Sequence, residues 1–137
     1  MKKQGSKSSA TAESLDRTLK LRTGIMLAIA AAFNMLSRAD IFLNIAVSAL
    51  LVIGAFGIIR ERLWGPTMGV VSSAAAIGYT VYEMFFFLYV LPGLLNYGPE
   101  FGVSVAQMAA MFIIPMDVIC LIALSASLKL RRALIAY

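Results

Sequence analysis

The chain has 137 residues, 61% of them hydrophobic and 14% charged, with a formal net charge of +5 and a mean hydropathy of +0.86. Soluble domains run at about 45–50% apolar and about 25% charged. Most of the polar remainder falls in the first 22 residues, so the rest cannot present a water-facing surface, and the composition fits a bilayer as solvent.

Missing residue types exclude several chemistries. There is no histidine, hence no imidazole base, no His-ligated haem and no His-based metal site. The lone Cys120 can form neither an internal disulfide nor a Cys-x-x-Cys pair, and reads as a small buried hydrophobe. No catalytic residue, metal ligand set or cofactor is assigned.

In chain order, residues 1–18 form a basic tail rich in Ser, Lys, Thr and Ala. With little to bury, this tail is expected to be largely disordered, with Ser14 as N-cap of a turn carrying Leu15 and Leu19. Lys and Arg beside an anionic leaflet are worth about 1 kcal/mol each, so the tail reads as an anchor on anionic lipid headgroups. It is too short for nucleic-acid binding. A secretory signal is the competing account, from Lys2-Lys3, the apolar 24–36 and the small-x-small Ser37-Arg38-Ala39, but the polar leader is long for one.

A hydrocarbon core of about 30 Å needs about 20 apolar residues. Residues 41–59 carry no charge, 66–95 carry only Glu83, and 101–128 carry only Asp117. These runs predict spans over 41–59, 66–92 and 102–128. A further span over 19–37 requires Lys20 and Arg22 to snorkel to the headgroups; the alternative is a helix lying flat on the membrane.

Charge favours four spans. Lys2, Lys3, Lys7, Arg17, Lys20, Arg22, Arg60, Arg62, Lys129, Arg131 and Arg132 then share one side against Arg38 alone, as the positive-inside bias requires. The expectation is an all-α membrane protein: a four-transmembrane-helix antiparallel bundle over 19–132, followed by a short end at 133–137. Both termini are placed in the cytoplasm of a plasma or inner membrane.

Punctuation agrees with that division. Ser37 to Asp40 is a tight hairpin connection, Trp64-Gly65-Pro66 suits an interfacial aromatic before a helix first turn, and Asn96 to Glu100 is a turn cluster. Pro92-Gly93 should end or kink the third span, and Pro115 should kink the fourth.

Ionisable groups at membrane depth are candidate functional positions, and there are two. Positions three, four and seven apart share a helix face, which places Gly69, Ser72, Ser73, Ala76, Thr80 and Glu83 on one stripe. Val70, Ile77, Val81, Met84 and Leu88 fall opposite. Small residues allow close helix approach, so the Glu83 stripe should face the bundle. Asp117 shares its face with Ala106, Ala110, Ile113, Cys120 and Leu124. Counting from the span ends puts the two carboxyls about 5–10 Å apart along the normal, which favours two separate polar sites over a shared-proton dyad.

Asn34, Asn44 and Gln107 lie within about 10 Å of the outer boundary. With Glu83, Tyr79 and Tyr82 they are candidates to line an outward-facing cavity for a ligand or ion. The bland reading is interhelical hydrogen bonding, worth about 0.6 kcal/mol per contact. For Glu83 that means a protonated carboxyl bonded to Asn or Tyr. The many aromatics, Phe85, Phe86, Phe87 and Tyr89 among them, read as a belt facing lipid, with a quinone, carotenoid or sterol contact as the lesser alternative.

Four short spans with a buried carboxyl resemble the layout of small multidrug transporters, but those carry the glutamate in the first span. Intramembrane aspartyl proteases need two aspartates. Three functions therefore stay open. The first is an accessory or assembly subunit, as a homo-oligomer or with a larger membrane partner. The second is a proton- or cation-coupled transporter or channel using Glu83 and Asp117, and the third an intramembrane lipid- or isoprenoid-binding protein or enzyme.

Overall fold

Asp40 starts a helix by accepting hydrogen bonds from the backbone N–H groups of Phe42 (3.0 Å) and Leu43 (3.1 Å), two of the donors a helix start leaves unsatisfied. The computed structural model describes residues 4–36 and 40–136. The elements in order are α1 (Gln4–Asn34), α2 (Ile41–Ile59), α3 (Gly65–Phe85), a π-helical turn (Phe86–Val90), α4 (Leu91–Leu95) and α5 (Pro99–Ile135). Because α3, the π turn and α4 run on without a break, the described residues make four rods. Among the described residues there is no strand.

The rods form a ring in which each packs on its chain neighbours and α5 closes back onto α1, while α1 and α3 barely meet across the diagonal. Neighbours are antiparallel. A Cβ on Gly24 of α1 would run into Ile59 at the end of α2, while Asn34 bonds Asn44 near the start of α2. Likewise Gly69 of α3 meets Ser127 of α5, and Thr80 meets Asp117. One end of the bundle, the basic end, carries Lys20, the Arg60–Arg62 turn, Lys129 and Arg132.

Among the described residues three rods are long and apolar enough to cross a membrane: Ile41–Ile59, Gly65–Leu95 and Pro99–Ile135, whose most apolar 18-residue stretches have mean hydropathies of 2.4, 1.5 and 2.2. The first rod has the length but not the apolarity, since Arg17, Lys20 and Arg22 fall within 18 residues of its end at Asn34. Its inner face nonetheless belongs to the core: Thr23, Leu27, Ala30 and Asn34 are fully buried.

The helix also takes in Gln4 to Thr18, where composition argues for a largely disordered tail, and it runs through Ser14 rather than starting there. A helix already nucleated inside a bundle propagates outward without a second nucleation cost, so weak local propensity suffices. The expected hairpin at Ser37–Asp40, the end of the first span at 37, the small-x-small tripeptide, Arg38, Lys2 and Lys3 lie outside the described residues, apart from Asp40.

Close backbone approach sets the α2–α3 pair at the basic end. A Cβ on Gly65 would collide with the backbone of Gly57 and with Ile58 N at 2.7 Å, so only glycine permits that distance. Between the two helices Glu61 adopts a left-handed conformation (φ 54°). There the Arg62 N–H bonds the Gly57 carbonyl at 2.9 Å and the Glu61 N–H bonds the Ile58 carbonyl at 3.1 Å.

At the opposite end Pro92 neither stops the rod nor leaves it regular. Lacking an N–H, it cannot serve the Leu88 carbonyl four residues back, and the helix widens so that the Leu91 N–H reaches the Phe86 carbonyl five residues away. Gly102 of α5 packs onto this widened turn; a Cβ there would lie 2.8 Å from the Phe87 carbonyl oxygen and 2.9 Å from that of Leu88. Asn96 ends α4 with a left-handed residue (φ 59°), a conformation Asn tolerates. Through Pro115, α5 keeps its helical course.

Candidate functional site

Buried polar side chains occur in both halves of the bundle: Thr23, Ser72, Ser73 and Ser127 lie toward the basic end, and the longer ones, Asn34, Asn44 and Glu83, lie in the half away from it. Asn34 is fully buried on α1 and points its amide at α2, where Nδ2 donates to Asn44 O (2.9 Å), Asn44 Oδ1 (2.5 Å) and Ser48 Oγ (2.7 Å). Asn44 and Ser48 are one turn apart, so one α2 face presents three acceptors to a group that carries two hydrogens.

Tyr79 on α3 crosses to the start of α2, its hydroxyl donating to the Asp40 carbonyl oxygen at 3.1 Å. The same hydroxyl interacts with the carboxyl of Glu83, one turn further along α3. Glu83 is 0% exposed. It sits on the stripe of Gly69, Ser72, Ser73, Ala76 and Thr80, all buried, whereas of the opposite stripe Val81 is exposed and Val70, Ile77, Met84 and Leu88 are half-buried, Ile77 against the core. A bulky and a small face on one helix decide its rotation, because only the small face lets α2 and α5 approach.

Asp117 comes from α5 and is half-buried. Thr80 Oγ1 lies 2.8 Å from Asp117 Oδ1 and 2.8 Å from the Ile77 carbonyl oxygen of its own helix. A hydroxyl has one hydrogen and can also accept. With an ionised Asp117 it bonds either the carboxylate or the carbonyl. With a protonated Asp117 it accepts from the acid and donates to the carbonyl, satisfying all three groups. Glu83 is three residues from Thr80, so the two carboxyls stand about 4.5 Å apart in height, with Thr80 and Tyr79 as their separate partners.

The other candidates scatter. Tyr82 is 42% exposed and stacks between Tyr79 and Phe86 on the outside of the bundle; Gln107 is exposed on α5. The structure does not bring these two to Glu83. Gly69, Ser73, Ala76 and Ala106 are buried in helix contacts and Ala110 is half-buried.

Among the described residues, three surface grooves lie elsewhere. One, between α1 and α2, is lined by Ala28, Ala31, Ala32, Ser48, Ala49 and larger apolar side chains. Two adjoin on α5 near the basic end. None of the three reaches Glu83, Tyr79 or Asp117. Among the described residues no cluster of three or more Cys, Asp or Glu could hold a metal ion.

Ser48, Asp40 and the π turn are the parts that the residue pattern left unassigned. Ser48 was legible as the residue one turn beyond Asn44. Asp40 takes part through its backbone carbonyl, which no side-chain pattern marks. No family model, curated protein or solved structure matches this chain.

Proposed function

We propose that the chain is a small multi-pass integral membrane protein serving as an accessory or assembly subunit of a larger membrane complex, or as an oligomeric structural component. In this reading residues 19–37 cross as a fourth span, Lys20 and Arg22 snorkel to the headgroups, and both termini lie in the cytoplasm. The observation that carries it is how the buried polar groups are used. Asn34 holds α1 to α2, Tyr79 holds α3 to the start of α2, and Thr80 holds α3 to Asp117 of α5. Helix pairs thus locked make a rigid unit, while the groove of small residues between α1 and α2 opens outward, where a partner helix packs closely.

Purification in mild detergent tests the reading. A larger membrane protein or a defined oligomer should co-elute at fixed stoichiometry. A clean monomer from the native membrane, alone in detergent and after crosslinking, overturns it.

One observation favours the second reading, a proton-coupled transporter or channel. Thr80 sits between the Ile77 carbonyl and Asp117 at equal distances, so its hydrogen bonding changes with the protonation of Asp117. In vesicles loaded with a pH-sensitive dye, an imposed pH gradient should then collapse faster with the protein than without it. Glu83→Gln and Asp117→Asn should abolish the difference; equal decay in wild-type and empty vesicles overturns this reading.

A further inference from the structure

Two grooves run side by side along the outer face of α5 and converge on the same residues. One is lined by α5 alone through Leu121, Leu124, Ser125, Leu128, Lys129 and Arg132. The other lies between α5 and α1, with Leu19 as its far wall and Leu121, Ile122, Ser125, Ala126 and Lys129 on the α5 side. Leu121, Ser125 and Lys129 border both, as residues spaced by four on one helix must. Their volumes are about 290 and 400 Å³. Apart from Ser125, Lys129 and Arg132 the walls are leucine, isoleucine and alanine. At the basic end, one turn past Ser125, stands Lys129, with Arg132 a further three residues on. Among the described residues neither cation has an ion-pair partner, since Lys20 takes the acids at Asp16 and Glu61.

We propose that these twin grooves bind one anionic diacyl phospholipid, an acyl chain in each, with its phosphate held by Lys129 and Arg132 and the Ser125 hydroxyl below them. The inference rests on the membrane reading above, in which Leu128 marks the hydrocarbon boundary and places both cations at phosphate height. Charge complementarity selects the occupant: two free cations at the mouth of two apolar channels suit a double-chained anion. The site is separate from the basic N-terminal tail, whose attraction to a charged leaflet needs no groove.

Full-length protein is reconstituted in bilayers of equal parts phosphatidylglycerol and phosphatidylcholine, and the lipid retained after transfer to mild detergent is read by native mass spectrometry. Resistance to alkaline extraction is scored on every sample, so failure to insert registers apart from failure to bind. One phosphatidylglycerol should be retained in preference to phosphatidylcholine. The Lys129→Gln, Arg132→Gln double variant should weaken retention roughly thirtyfold. Ser125→Leu, which caps both channels with an apolar side chain, should lower it while leaving insertion intact. Neutralising Lys2, Lys3 and Lys7 should leave it unchanged. Equal retention of both lipids, full retention by the double variant, or loss on neutralising the tail overturns the site.

Discussion

The Thr80 hydroxyl stands 2.8 Å from Asp117 Oδ1 and so ties α3 to α5 midway along the bundle. Thr80→Val keeps the shape and removes the donor. It should cost about 0.6–1.7 kcal/mol, the range for interhelical hydrogen bonds in membranes, read as a lowered unfolding midpoint in detergent. Adding Asp117→Leu to the Thr80→Val variant should lower it little further, because the coupling is already gone. Strictly additive losses would show that the two side chains do not interact.

Asn34 makes the densest polar contact of the interior, and its removal strands acceptors on α2. Asn34→Leu should destabilise by about 1–3 kcal/mol, the cost of leaving buried partners unsatisfied. The same change at Gln107, which lies exposed on α5, should be neutral or stabilising if that face meets lipid. Equal effects at both positions would contradict the placement of Asn34.

Two glycines of the third rod should respond in opposite directions to alanine. Gly65→Ala forces a methyl into the Gly57 backbone and should cost about 1–3 kcal/mol. Gly78, in the same helix, has nothing within 4 Å of a Cβ; alanine there should gain up to about 1 kcal/mol from helix propensity. Thermal unfolding of the pair settles the α2–α3 packing.

Glu61 holds a left-handed conformation that costs a non-glycine residue about 1–2 kcal/mol. Its ion pair with Lys20 is long, at 3.7 Å, and both side chains are partly exposed, so it returns about 0–1 kcal/mol. Strain outweighs charge here. Glu61→Gly should therefore raise the unfolding midpoint, whereas a fall would mean that the turn depends on the carboxylate.

The legible part of this molecule was whatever one helix face decides. The rods at 41–59 and 65–95 were marked by apolar length, uncharged in the first and broken only by Glu83 in the second, although the expected end at 92 fell short of Leu95. The inward turn of Glu83 was marked by the contrast between Ala76 and Val81. Turn chemistry also read through at Asn96 and at Gly65-Pro66. What stayed hidden depends on two segments at once. That Thr80 faces Asp117, and that Tyr79 reaches a backbone carbonyl at Asp40, follows from the relative height of α2, α3 and α5, which periodicity within one helix does not encode. Pro92 announced a disturbance but not its form, because whether a proline kinks a helix or widens it into a π turn depends on what packs alongside, here Gly102. Helix from Gln4 was illegible because propagation from the bundle, rather than local composition, supplies it.

The central claim is that the first rod crosses the bilayer, returning both ends of the chain to one side. In a Cys120→Ala background, Gly5→Cys and Ile135→Cys should both resist a membrane-impermeant maleimide in intact cells and react once the membrane is opened, while Tyr97→Cys should react from outside. Labelling of residue 5 and residue 135 from different faces would contradict the four-span arrangement.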